Sequence, residues 1–249
     1  MSEIIGQYDQ TKLWFGEDYI VTDQIKVHQP TIGEIVEYGE KDYYSMIGLM
    51  CAIPSDMKSF LWDTCEITWT KITDFELFTL IRQTLPKERT SILLGDIDLP
   101  SLQLGYIDND PKQIVLRDLE TGLVINEFVY TKMISYIRAL HNIVPKREKA
   151  YDKFTRDIMI QEDRDKVRIN KAKEYQPQLL SLITSMMTYP GFKYKKSELK
   201  ECGLNEFMTA VKSAQIYVST VALQHGAYSG FMDVKKIKNK ELFNWMRSE

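Results

Sequence analysis

The stretch LLSLITSMMTYPGFKYKKSELKECGLNEFMTAVKSAQIYVSTVALQHGAYSGF, Leu179–Phe231, decides how the chain reads. Its opening run is apolar at helical spacing and is stopped by Tyr189-Pro190-Gly191, where proline and glycine interrupt helix hydrogen bonding. Phe207, Val211, Ala214, Val218 and Val221 recur every three or four residues, which predicts a second, core-facing helix over 205–224. Asn205 is its expected N-cap and Gly226 the expected residue just past its end. A short closing helix is expected to carry Leu242, Trp245 and Met246. This is the layout of a helical module with aromatics at its joints, not of an active site. Phe192, Tyr194, Tyr228, Phe231 and Trp245 are therefore the candidate partner-binding residues.

Upstream of this module, Lys146–Glu174 is dense in both charge signs. Tyr151, Phe154, Ile158 and Met159 give it a thin apolar stripe that fades after Gln161. Mixed charge without glycine or proline predicts a long solvated helix or helical linker, supported by i,i+4 pairs of a few tenths of a kcal/mol each. The preceding zone changes texture. Ser91–Leu94, Leu102–Ile107, Gln113–Leu116 and Leu123–Phe128 are short apolar runs, and Gly122 suits a hairpin turn, so a β-rich insert is expected at about 90–128. Met133, Ile134, Ile137 and Leu140 then return to helical spacing over 130–141.

The front of the chain is richer in local signals. Tyr19–Val27 (YIVTDQIKV) is β-branched and aromatic, as in a strand or hairpin arm. Thr31 and Glu34 form a capping box that opens a helix through Ile35, Tyr38, Tyr43, Met46 and Met50, with an interruption at Gly39 and an end by Pro54. Thr73 and Glu76 form a second box opening a helix through Phe75, Phe78, Leu80 and Ile81, ahead of Pro86. The fold class is α+β, mainly α-helical. The expected organisation is an N-terminal α+β domain over 1–144, a charged helical linker over 145–176 and a C-terminal helical module over 177–249.

Composition bounds the function classes. An apolar fraction of 44% with 27% charged residues is that of a globular chain, and twelve glycines and eight prolines are too few for disorder or an all-β repeat. A net charge of −3 supplies no global field to recruit nucleic acid. Lysines interleaved with aromatics, Lys193, Lys195 and Lys196 with Phe192 and Tyr194, could bind single strands. The region has Arg247 as its one arginine, which disfavours that use. No apolar run reaches the length of a membrane span, and the N-terminus lacks the pattern of a signal peptide. Cys51, Cys65 and Cys202 are odd in number and widely spaced, as ordinary thiols in a reducing compartment.

Chemistry-bearing patterns are sparse. His28, His141 and His225 lie far apart, with none of the spacings of a zinc site. Nucleotide-binding, nucleophile-elbow and redox-cysteine motifs do not occur. Asp96, Asp98, Asp108, Asn109 and Asp110 cluster without the spacing of a calcium loop, and turn chemistry explains them better. The chain therefore reads as a non-enzyme with no cofactor or metal.

The run LLSLITSMMTYPGFKY, then LNEFMTAVKSAQ, GAYSGFMDVKKI and the closing tryptophan resembles a C-terminal region of proteins encoded among the tail genes of tailed phages of Gram-positive bacteria. IKVHQPTIGEIVEYGEKDYYSM is similar to the start of the same group, tail assembly chaperones and tail-associated proteins. The resemblance implies a protein of the host cytoplasm, in multiple copies or homo-oligomeric, that shields an apolar helical tail partner such as the tape-measure protein. Met186, Met187, Met208 and Met232 would suit such a partner. It carries no catalytic residue across. The β-rich insert has no counterpart in that idea and leaves room for a structural component of the virion tail, baseplate or neck.

Overall fold

The computed structural model describes residues 8–107 and 113–247. Among them are 11 α-helices and two small antiparallel sheets, an α+β fold dominated by helix. Helix α1 (Gln10–Trp14) leads into a hairpin of β1 (Tyr19–Thr22) and β2 (Ile25–Val27), as the β-branched run predicts. Both expected capping boxes form. Thr31 opens α2 (Ile32–Tyr38), and Thr73 opens α5 (Asp74–Ile81), each with its glutamate returning to the cap backbone. The interruption at Gly39 is real: its φ of +99° suits glycine and turns the chain into α3 (Glu40–Met50). Pro54 opens a 3₁₀ turn, followed by α4 (Lys58–Cys65).

The middle zone departs from expectation at its start. Ser91–Leu94 is not a strand but the last turn of α6 (Lys87–Leu94), which Pro86 precedes. Four residues are too short a run to show a period, so strand and helix are indistinguishable there. The remaining runs form β3 (Gln103–Tyr106), β4 (Ile114–Arg117) and β5 (Val124–Asn126), in the order β3-β4-β5. Leu104, Leu116 and Ile125 stand opposite one another across the sheet. Gly122, at φ +71°, makes the turn before β5. Asn126 then caps α7 (Glu127–Leu140) by accepting from the Val129 N–H at 2.9 Å, so this helix starts earlier than its apolar period alone suggests.

The segment expected to be a helical linker is half extended. Residues 143–152 lie without helix, and α8 (Lys153–Ala172) follows. This stretch is a strap held to the front of the molecule. Trp69 Nε1 donates to the Glu148 carbonyl at 2.9 Å, Ser55 accepts from the Glu148 N–H at 3.0 Å, and buried Lys58 reaches the Glu148 carboxylate at 2.7 Å. Helix α8 then packs on α4. Ile160 joins a small apolar cluster with Ala52, Leu61, Trp69, Leu77 and Ile81. Buried Asp163 accepts from both the N–H (2.9 Å) and the hydroxyl (2.7 Å) of Ser59. Met57, the residue at the start of α4, makes no side-chain cap, so Asp163 supplies from a distant helix the acceptor that the helix start needs. The face of α8 in contact is therefore that of Arg156, Met159, Ile160 and Asp163. The predicted stripe of Tyr151, Phe154 and Ile158 points outward, with Tyr151 96% exposed and Phe154 74% exposed.

Helices α9 (Leu179–Thr188), α10 (Lys196–Glu201) and α11 (Leu204–Tyr228) complete the order. The break at Tyr189-Pro190-Gly191 falls where expected. Leu179, Met186, Leu199, Cys202, Leu204, Phe207 and Val211 share one apolar core with residues from Leu13 to Leu140. Two contacts seat this region on the front. Thr31 and Gly203 form an antiparallel bridge, with Ile32 N–H donating to the Cys202 carbonyl (2.9 Å) and Leu204 N–H to the Pro30 carbonyl (3.1 Å). The Glu40 carboxylate accepts from the N–H groups of Gln178 (2.8 Å) and Leu179 (3.1 Å) at the start of α9, and from the Tyr175 hydroxyl.

Three expectations for the last helix need correction. Gly203, not Asn205, precedes α11, because the Pro30 carbonyl takes the first free N–H; Asn205 lies buried in the first turn. Gly226 lies inside the helix, and the positive-φ glycine is Gly230 at +77°. A Cβ on Gly226 would sit 2.7 Å from Met232 Sδ, so this glycine makes room for the returning chain. The closing segment forms 3₁₀ turns, Val234–Lys236 and Lys240–Phe243, instead of an α-helix.

Candidate functional site

The five candidate aromatics fall into two groups. Phe192 and Tyr194 are half buried and pack against the main core, Phe192 meeting Phe207 edge-on at 6.4 Å and Tyr194 at 5.3 Å. Tyr194 donates to the Glu206 carboxylate, and this bond, with burial, pushes its hydroxyl pKa up to about 12. These two rings fill the space under the α9–α10 connection and are structural in their contacts. Tyr228, Phe231 and Trp245 are the outward group.

That group is assembled by the chain folding back on itself. Helix α11 leaves the core after Ala214: Tyr217 and Val218 are already exposed, so the predicted core stripe holds only over its first part. Gly230 turns the chain, and the Met232 N–H donates to the Gly226 carbonyl at 3.1 Å. The closing segment then runs back along α11. Buried Thr220 donates to the Leu242 carbonyl (3.2 Å), Gln224 to the Phe243 carbonyl (3.0 Å), and Arg247 to Thr220 Oγ1 (2.8 Å). Trp245 lies edge-on to Tyr217 at 6.0 Å. The returning chain thus seals the polar groups of the helix while leaving its own apolar side chains outside. Tyr228 is 88% exposed and Phe231 92%, with Trp245, Met246, Leu242, Met232 and Val234 also partly or largely exposed. Of the four methionines expected to serve a partner, Met186 is buried, Met208 is half buried against the core, and Met187 and Met232 are exposed.

Polar chemistry is organised elsewhere. His28 lies between two carboxylates, Asp18 at 2.7 Å from Nδ1 and Glu34 at 3.2 Å from Nε2. Burial pushes both carboxyls up, but the hydrogen bonds from Lys26, His28 and the backbone outweigh it for Asp18, and those from Thr31 and His28 for Glu34, so both end below the ordinary carboxylate range. His28 also edges a shallow depression of about 340 Å³, lined by Gln24, Lys26, Ser91, Asp96 and the residues between them from Leu93 to Gly95. Asp96 pairs with Lys87 at 2.8 Å. Asp98 precedes the 3₁₀ turn Leu99–Ser101, in line with turn chemistry; Asp108, Asn109 and Asp110 lie outside the described residues. Among the described residues no group of three or more metal-ligating side chains converges. Cys51 and Cys202 are buried, and burial pushes both thiols up to about 12, so they act as small apolar side chains. No helix among the described residues is long and apolar enough to cross a membrane.

His141 is a core histidine rather than a ligand. Its Nε2 lies 2.7 Å from the Tyr43 hydroxyl and its Nδ1 donates to the Ile137 carbonyl at 2.7 Å, a pairing that the neutral ring satisfies with Tyr43 as donor. Burial lowers its pKa from 6.5 to about 4. The unfolded chain takes up this proton below about 6.5 and the folded chain only near 4. The stability from the neutral ring is therefore complete above pH 6.5 and is lost as pH falls toward 4, to a total on the order of 3 kcal/mol. Urea unfolding of the native chain and His141→Gln across this window should show the gap between them narrowing as pH drops; a constant gap would refute it.

The exposed end was half legible. The sequence marks the aromatics and the glycines, but the reversal of the chain over Thr220 rests on contacts to backbone carbonyls, which no side-chain pattern records. No protein-family model, no curated protein and no solved structure matches the chain.

Proposed function

We propose that this chain is a non-enzymatic, chaperone-like assembly protein that covers an apolar helical partner while a phage tail is built. The single observation that carries the reading is the row of exposed apolar side chains along the end of α11 and its returning chain, with Tyr228 and Phe231 at the turn and Trp245 farther back beside Tyr217. Exposed apolar side chains concentrated on one element mark interaction sites, and aromatic anchors dominate binding energy where they are buried by a partner. Methionine adds adaptability toward variable apolar surfaces. The tape-measure protein or another tail component as the partner, many copies along it, and action in the host cytoplasm follow from the phage-tail resemblance of the two quoted regions. A structural role in the virion tail, baseplate or neck is the second reading. It is favoured by the sheet: β3 lies at its edge with Leu104 and Tyr106 half exposed, a surface suited to a permanent interface.

The test joins mass spectrometry of mature particles with a pull-down of the tagged chain from producing cells. Recovery of a long helical tail protein, with the chain absent from particles, supports the chaperone reading; fixed stoichiometry in particles supports the structural one; absence from both refutes the assignment. Tyr228→Ala with Phe231→Ala should leave stability within about 0.5 kcal/mol, because both side chains are exposed, and should reduce partner recovery at least about tenfold. Undiminished recovery would place the binding surface elsewhere.

A further inference from the structure

The end of α11 differs from the rest of the molecule in charge as well as in exposure. Ala214 is the last residue of the helix packed against the main core. From there to Tyr228 the helix runs on for about 21 Å, partnered by the chain that returns along it. Between Lys212 and Asp233 the sequence holds no Asp, Glu, Lys or Arg. Directly after this uncharged stretch come Lys235, Lys236, Lys238 and Lys240, all exposed. Residues 215–247 carry these four lysines and Arg247 against Asp233 and Glu241, a net of +3, in a molecule whose net charge is −3, so the remainder carries −6. Lys240 Nζ donates to the Val234 carbonyl at 2.6 Å, which brings an ammonium group beside the aliphatic turn. Lys235 and Lys238 form no ion pair among the described residues.

We infer that this end docks on an anionic lipid surface. Positive charge on the end and negative charge on the body orient the molecule, drawing the one toward anionic headgroups and holding the other away. Tyr228 and Phe231 at the turn, with Trp245 farther back, are side chains that settle at the boundary between headgroups and acyl chains, while the lysines that follow the turn meet the phosphates. A projecting end with separate anchors suits a fluid surface, which closes around each side chain. Single-stranded nucleic acid, the other anionic surface that takes lysines and aromatics, fits less well. Its bases stack on flat rings and guanidinium planes. Here Met232, Val234, Leu242 and Met246 share the exposure, and Arg247 is engaged by Thr220 Oγ1 and the Leu242 and Asn244 carbonyls. Docking of this kind lies on a membrane and does not span it. Lipid and the helical partner proposed above would occupy the same end in turn, and neither reading depends on the other.

Co-sedimentation of the full chain with vesicles provides the test. Vesicles of equal parts phosphatidylcholine and phosphatidylglycerol should carry the chain down, and vesicles of phosphatidylcholine alone should bind it at least about tenfold more weakly. Molar salt should release it. Amide exchange should slow over residues 225–247 when the mixed vesicles are added and stay unchanged over residues 19–100. The variants K235E/K238E and Y228S/F231S should each lose at least about tenfold in binding to the mixed vesicles, with unchanged circular dichroism and Tm. No sedimentation, equal binding to both kinds of vesicle, or protection that falls outside 225–247 overturns the inference. So does tighter binding to a thymidine oligonucleotide than to the mixed vesicles. Pull-downs separate this outcome from the function proposed above. Tail-partner recovery with no vesicle binding refutes the inference alone; vesicle binding with no tail partner refutes the proposed function alone.

Discussion

Phe207→Ala is expected to destabilise the whole molecule by about 3–5 kcal/mol, the usual cost of emptying a fully buried aromatic site. Phe207 has 0% exposure and belongs to the core that also contains Ile32, Tyr43 and Tyr136 from the front of the chain. It meets Phe192 edge-on, so truncation also removes the support of the ring that closes the α9–α10 connection. The result should be a single unfolding transition moved down by on the order of 10 °C for a chain of this size. The single transition is the discriminating part. Were residues 177–249 an independent module, calorimetry would instead show an early, separate loss of the C-terminal helices with the main transition unmoved.

Asp74→Ala should cost a comparable 3–5 kcal/mol for a different reason. Asp74 lies at the start of α5 with 13% side-chain exposure and pairs with Arg138 of α7 at 3.2 Å, itself 13% exposed. Arg138 also donates to the Cys51 carbonyl at 3.0 Å, which closes the C-terminal end of α3. Arg147 from the extended strap grips the same carboxylate at 2.8 and 3.0 Å. Removing the carboxylate leaves the Arg138 guanidinium with little water and no counter-charge, and releases the strap over the small cluster around Trp69. Arg147→Ala should cost no more than about 1 kcal/mol, because that partner is largely in solvent. Combining Asp74→Leu with Arg138→Met should recover most of the loss, since an apolar pair needs no compensation. Urea unfolding of the three variants decides; equal losses for Asp74→Ala and the double variant would show that charge burial is not the cause.

What was legible in the sequence shares one property, which is short range. The boxes at Thr31–Glu34 and Thr73–Glu76, the hairpin over 19–27, the positive-φ glycines at 39 and 122 and the stop at Pro190 are each decided by residues within a few positions of one another. What was illegible depends on distant partners. Glu40 closes the start of α9 and Asp163 closes the start of α4, yet neither acidic residue stands near those helices in sequence. The stripe of Tyr151, Phe154 and Ile158 predicts amphipathicity but not direction, and the docked face is chosen by Arg156 over the Trp62 ring at 4.4 Å and by the Asp163–Ser59 bonds. Likewise, periodicity extended the core stripe of α11 through Val221. The helix in fact outruns the body it packs on, and the candidate site is built on the surplus.

The Thr31–Gly203 bridge has a consequence for how the molecule is made. A ribosome adds about 5–20 residues per second, so α2 emerges on the order of ten seconds before the segment that covers it. Through that interval the nascent chain carries an apolar core whose lid, from Leu179 to Val211, has not yet been synthesised. The front of the chain must wait as an incompletely packed intermediate, exposed to aggregation and in need of the cell's general folding helpers. Messages interrupted before the codon for Gly203 would therefore deliver insoluble protein rather than a smaller working domain.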